Sequence, residues 1–242
     1  MLRRSWGLLA VVMALAAVAF AAPAAATHRP NHGGGGDPSP SPSPTANGED
    51  PILFVHGWNS SGTVWTTMID RFKADGYTDG QLFNWSYNYR QSNEITAQEV
   101  LAKIQDIKTQ TGAAKVDVIT HSMGGLSSRW CVKFTGCDGS VDGWVSLGGP
   151  NHGTDTANFC FDTSCTEMRI GSDFLTTLNA GDETPGSATR WRTWWSPCDS
   201  TINPDSSVSL SGATNTKTAC LSHSALYEDA TVYGQVRDFV GA

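Results

Sequence analysis

From residue 52 onward, apolar positions follow two alternating rhythms. Ile52–Val55, directly after Pro51, is a short unbroken apolar run, the pattern of a strand buried on both faces. Val64, Trp65, Met68, Ile69 and Phe72 then recur at helical spacing behind Ser60, Ser61 and Thr63, whose hydroxyls are suitable caps. Leu82–Trp85 predicts a second strand. Val100, Ile104 and Ile107 mark the face of a helix that stops at Gly112. Val116–Ile119 predicts a strand ending at Thr120, and Leu126, Trp130 and Phe134 line the helix after it. Val141–Leu147 and Arg190–Trp195 read as further strands, the second with Trp191, Trp194 and Trp195 in the core. Val232, Val236, Phe239 and Val240 predict a closing helix. Strands alternating with helices imply right-handed crossovers, hence an α/β fold: a mostly parallel sheet with helices on both faces.

The first 48 residues keep neither rhythm. Arg3 and Arg4 precede an apolar run from Trp6 to Ala22, followed by Ala24, Ala25 and Ala26. Charged head, apolar middle and small-residue tail predict a secretory signal peptide over residues 1–26, cleaved rather than kept as an anchor. Residues 27–48, with Gly33–Gly36 and the alternating Pro38–Pro44 stretch, read as a disordered linker. One folded domain over residues 49–242 remains, with no internal repeat. The chain has 242 residues and net charge −7. Losing the leader removes two arginines and no acids, so the exported chain is more acidic still. A general nucleic-acid binder would carry a basic surplus instead. No second apolar run approaches spanning length, which predicts a soluble, extracellular protein; a monomer is expected separately, with no sequence feature behind it. All six cysteines (131, 137, 160, 165, 198 and 220) lie in the exported part, and an even number there reads as disulfides. There is no Cys-x-x-Cys spacing and no recognisable calcium loop, so neither a metal nor another cofactor is expected.

The stretch Val118–Gly125, reading Val-Ile-Thr-His-Ser-Met-Gly-Gly, places Ser122 between a buried strand and a helix. That is the context of a nucleophile elbow, where the serine takes a strained conformation and its neighbours at two before and two after must be small. Gly124 meets the second position. Thr120 stands at the first, where glycine is usual. The alternative is a serine capping an ordinary strand–helix junction. A nucleophilic serine needs a base, and in this architecture the chain order is serine, acid, histidine. His223, in a loop before the last helix, has the right topological place. His152 reads as a loop or pocket-wall residue, because only Asp138 and Asp142 stand between it and Ser122, before or inside a predicted strand. His121 adjoins the serine too closely to serve as its base. The acid follows the Arg190–Trp195 strand, with Asp199 favoured over Asp205. Cys198 adjoins Asp199 and Cys220 stands three residues before His223, so a Cys198–Cys220 bridge would hold both loops together. Cys131–Cys137 and Cys160–Cys165 would then be local closures. For the oxyanion, one main-chain donor is expected at Met123, after the nucleophile, and the other at Trp58, after the tight turn Gly57 allows.

Three motifs, Phe-Val-His-Gly-Trp58, Thr-His-Ser-Met-Gly-Gly125 and Leu-Gly-Gly-Pro-Asn-His-Gly-Thr154, together resemble the secreted bacterial class 2 triacylglycerol lipases. The resemblance covers roughly residues 50–242. It implies a compact α/β-hydrolase with little or no lid that cleaves acylglycerol esters at a lipid–water interface. It also matches Ser122, Asp199 and His223 to the family triad and Trp58 and Met123 to its oxyanion donors. Residues 154–186 exceed the minimal fold. Phe159, Phe161, Met168, Phe174, Leu175 and Leu178 there predict an apolar face, either walling an acyl pocket as a small lid or packing a helix on the sheet. Two other functions use the same sequence: a polyester or short-chain ester hydrolase, and a noncatalytic hydrolase-like binding module.

Overall fold

The buried run at residues 52–55 becomes an inner strand of a single sheet. A computed structural model describes residues 48–242; the expected signal peptide lies outside the described residues, as does the linker except for Gly48. The strands are β1 (Ile52–Val55), β2 (Leu82–Asn84), β3 (Val116–His121), β4 (Val141–Leu147), β5 (Arg190–Trp195) and β6 (Thr214–Lys217). They lie in the order β2-β1-β3-β4-β5-β6, every neighbouring pair parallel. The helices are α1 (Thr66–Ala74), α2 (Asn93–Thr111), α3 (Gly124–Trp130), α4 (Thr163–Glu167), α5 (Asp173–Asn179), α6 (Ala225–Glu228) and α7 (Ala230–Val240).

Successive side chains of a strand face opposite ways, and β1 divides accordingly. Leu53 and Val55 join Val100, Ile104 and Ile107 of α2 and Leu126 of α3 in one core. Ile52 and Phe54 join Met68 and Phe72 of α1 and Val232 and Val236 of α7 in the other. The sheet is thus covered on both faces, as the patterning predicts. The α2 helix opens on Ser92, whose hydroxyl accepts from the Glu94 N–H, and closes on Gly112 at φ 73°. Glycine enters that left-handed region without a Cβ penalty.

Four details depart from expectation. Strand β3 runs on to His121, so the serine turn begins without any loop. Phe134 is 49% exposed rather than part of a buried stripe. The cause is local: α3 ends at Trp130, a π turn spans Cys131–Thr135, and the Cys131–Cys137 bridge closes it. Trp191 and Trp194 are buried as expected, but Trp195 is half-buried with the Lys217 ammonium 5.1 Å from its ring centre. Strand β6, reading Thr-Asn-Thr-Lys, carries no apolar signal and is largely exposed; it forms by pairing its backbone with β5 at the sheet edge.

At the end of the sheet where the strands begin, the β3–β4 register slips between Val116 and Val118. Asp117 is buried in that irregularity, its Oδ1 accepting the Gly143 N–H at 2.7 Å while Oδ2 has no partner. Burial pushes this carboxyl well above the usual carboxylate range.

Candidate active site

Where β3 ends, Ser122 holds φ 55° and α3 begins two residues later. A non-glycine residue there stores backbone strain of roughly 1–3 kcal/mol. The turn is held from several sides. The Ser122 N–H donates to the Leu147 carbonyl at 2.9 Å. A Cβ on Gly124 would lie 2.5 Å from the Val55 carbonyl oxygen, and a Cβ on Gly57 would lie 2.7 Å from the Ser122 Cβ. Both glycines are therefore dictated by the close crossing of the β1 end over the serine turn. Thr120 fits where glycine is usual because its Oγ1 turns into the sheet and donates to the Val145 carbonyl at 2.7 Å.

Past β5, His223 Nδ1 lies 2.7 Å from Asp199 Oδ2. A carboxylate only accepts, so Nδ1 carries the proton and Nε2 is left as the acceptor. The other oxygen, Asp199 Oδ1, accepts the N–H groups of Thr201 at 2.9 Å and Ile202 at 3.1 Å, which fixes the carboxylate plane. The Cys198–Cys220 disulfide joins the two loops. Sequence reasoning missed a second brace beside it: Ser196 Oγ accepts the Leu221 N–H at 2.8 Å and donates to the Leu221 carbonyl at 2.6 Å. Gly148, at φ 59°, leaves the room this pair needs, since a Cβ there would lie 3.1 Å from Asp199 Oδ2 and 3.2 Å from His223 Nδ1.

The other candidates lie elsewhere. Asp205 starts a 3-10 turn and lies outside the cleft lining. His152 Nε2 pairs with Glu183 Oε1 at 2.8 Å, also outside the cleft. Asp142, inside β4, is held by Lys115 and Arg190 at the far end of the strand. His121 is a neighbour rather than a base: its Nε2 donates to the His223 carbonyl at 3.1 Å, and burial holds its pKa well below the ordinary histidine value.

Met123 precedes α3, its side chain buried, and Trp58 follows Gly57. The Gly57 carbonyl belongs to the same peptide as the Trp58 N–H, and His56 Nδ1 donates to it at 2.8 Å. His56 is itself fixed, with Tyr87 stacked at 4.0 Å and the Tyr87 N–H donating to its Nε2 at 3.3 Å. Burial lowers its pKa, which keeps that acceptor nitrogen unprotonated.

Ser122 and His223 open on one cleft of about 430 Å³, walled by Trp58, Val64, Ala157, Met168, Ile202 and Tyr227. Part of its wall comes from the expected insertion, but the single apolar face predicted there is split. Met168, Phe174, Leu175 and Leu178 are buried in the core, whereas Phe159 and Phe161 are 85% and 81% exposed. The Cys160–Cys165 bridge separates the two sets by reversing the chain before α4. Among the described residues, no group of three or more acids, histidines or cysteines is placed to hold a metal ion, and no helix is long and apolar enough to cross a membrane.

The family model for class 2 lipases matches residues 49–236. The chain belongs to the class 2 lipase family. Over 94 residues it is 33% identical to lecithin-cholesterol acyltransferase-like 4 of Arabidopsis thaliana, covering 36% of this chain and 17% of that protein. Over 124 residues it is 27% identical to a triacylglycerol lipase of Pseudomonas fragi, covering 47% of this chain and 39% of that one. The matches thus span less than half the length of either curated relative. Among solved structures, the mature form of a Bacillus licheniformis lipase superposes with TM-score 0.71 at 18% identity, over 86% of this chain and 97% of that one. Aspergillus fumigatus lipase B gives TM-score 0.71 at 17% identity, over 84% and 55% of the two chains. At these identities the likeness concerns the fold, which is that of an α/β-hydrolase.

Proposed function

We propose that this class 2 lipase is a secreted carboxylic ester hydrolase acting on acylglycerols, with Ser122 as nucleophile, His223 as base and Asp199 as its partner. The observation that carries the reading is the 2.7 Å His223–Asp199 hydrogen bond on the same cleft as a serine held at φ 55°. In the acylation step, Ser122 Oγ forms a bond to the ester carbonyl carbon while its proton passes to His223 Nε2. The carbonyl oxygen becomes an oxyanion facing the main-chain N–H groups of Trp58 and Met123. A single such donor typically contributes about 2.7–4 kcal/mol. As the tetrahedral intermediate collapses, the C–O bond to the glyceride alcohol breaks and His223 returns the proton to that alcohol. Water then cleaves the acyl-enzyme through the same base, releasing the fatty acid. Asp199 keeps the proton on Nδ1 and stabilises the imidazolium.

Export is supported by the signal-like leader and by three disulfides. The net negative charge and the exposed Phe159 at the cleft rim suit a neutral lipid surface rather than a nucleic acid. The test is fluorophosphonate labelling with the modified peptide identified. Labelled Ser122, together with loss of nearly all turnover in a folded Ser122→Ala variant, is the expected result; label elsewhere sinks the reading. Polyester or short-chain ester hydrolysis uses the same chemistry, and a chain-length series of p-nitrophenyl esters with a polymer-film assay separates them.

A further inference from the structure

The first part of the insertion, from Thr154 to Asp162, links the loop that carries Asp199 to the loop that carries Trp58. At one end Thr154 Oγ1 donates to the Thr201 carbonyl at 2.7 Å and accepts the Asn203 N–H at 3.1 Å, tying it to the loop that carries Asp199. At the other end the Asp162 carboxylate meets the Trp58 indole N–H, with Oδ1 and Oδ2 at 3.2 and 3.1 Å. That carboxylate also caps α4: its Oδ1 accepts the Cys165 N–H at 3.1 Å. The Cys160–Cys165 bridge closes the loop around Asp162. Arg169 stitches it from inside, donating from Nε to the Ala157 carbonyl at 3.1 Å and from Nη2 to the Cys160 carbonyl at 2.9 Å.

The peptide joining Gly57 to Trp58 carries the expected oxyanion donor, and glycine leaves such a peptide free to rotate. Its carbonyl side is held by His56. Its donor side depends on where Trp58 is held, and that indole is fixed by Asp162 and by edge-on packing against Tyr89 at 5.8 Å. Resting on the catalytic reading above, we infer that Asp162 is a positioning residue for the oxyanion hole: by holding the Trp58 indole against the disulfide-closed loop, it pre-aims the Trp58 main-chain N–H.

The test compares Asp162→Ala, Asp162→Asn, Trp58→Phe and the double variant Trp58→Phe/Asp162→Ala on a water-soluble p-nitrophenyl ester. A misaimed donor should lower kcat by roughly ten- to hundredfold, with KM moving less than about twofold. The pH profile of kcat/KM should keep its midpoints, because His223 and Asp199 are untouched. Asp162→Asn keeps an acceptor oxygen and should recover much of the loss. Trp58→Phe should lose kcat as Asp162→Ala does, and the double variant should be no slower than the slower single variant. Unchanged kcat in Asp162→Ala, a loss in KM alone, or additive losses in the double variant would each overturn the inference. If Asp162→Ala melts, Trp58→Phe decides, since it leaves the α4 cap in place; full kcat in that variant overturns the inference. Fluorophosphonate separates the two readings: a labelled Ser122 with a fast Asp162→Ala enzyme removes the role of Asp162 alone, and an unlabelled wild-type Ser122 removes both.

Discussion

At the scale of single residues, the site depends on groups with few alternatives. Gly57 touches the serine, so Gly57→Ala should abolish turnover while the fold survives; circular dichroism and esterase assays on one preparation check this. Asp199→Asn can no longer accept from His223 Nδ1 in the same way and should cost orders of magnitude in kcat. Asp205→Asn should cost little, and the opposite ranking would reassign the acid. Asp117 makes a prediction about stability instead. Its folded-state pKa is raised, so folding favours the protonated form. Its penalty is absent below the ordinary carboxylate range of about 4 and grows as pH rises through the folded pKa. Asp117→Asn should therefore raise the melting temperature at pH 8, with the gain fading toward pH 4. Melting curves across that range check the sign.

At the scale of elements, legibility followed burial. Strands β1, β3 and β4 and helices α2 and α7 were readable because one or both faces are packed, so their apolar residues keep a period. Strand β6 was not readable, since an edge strand facing water needs no apolar residue. Ser122 and His223 stood out because an elbow and a late loop histidine leave a local trace. Asp162, Thr154 and Ser196 did not: Asp162 meets Trp58 across 104 residues of sequence, and no local pattern encodes that meeting. The same contacts decide how the insertion behaves. Tied to the body at Thr201, Asn203 and Trp58 and stitched internally by Arg169, it has the contacts of a fixed strap rather than a hinged cover. Rates measured below and above substrate solubility should therefore show no abrupt rise at the limit, and a sharp jump would refute a fixed strap. Loss of the Cys198–Cys220 bridge, which spans 22 residues, should cost about 3 kcal/mol in the chain-entropy model. Ser196 should nevertheless keep the Asp199 and His223 loops together, so a Cys198→Ser/Cys220→Ser variant should melt earlier yet stay active at 25 °C, as melting and rate assays would show.

At the scale of the molecule, a net charge of −7, or (16 − 2) − 23 = −9 once the leader with Arg3 and Arg4 is removed, sets which surfaces the protein approaches. Adsorption to anionic vesicles should be weak at low salt and strengthen as salt screens the repulsion, while adsorption to uncharged lipid should be nearly salt-independent. A flotation assay over a salt series distinguishes this from binding through a basic patch, which salt would weaken. Edge strand β6 adds a consequence if, as proposed, the enzyme works crowded side by side on a lipid surface. A bare row of main-chain donors and acceptors invites a neighbour's strand to zip on, and Thr214–Lys217 answers with hydroxyls, an amide and a cation laid over Trp195. Exchanging Thr216 and Lys217 for valine should leave dilute enzyme intact but turn densely coated emulsions into clumped, light-scattering film.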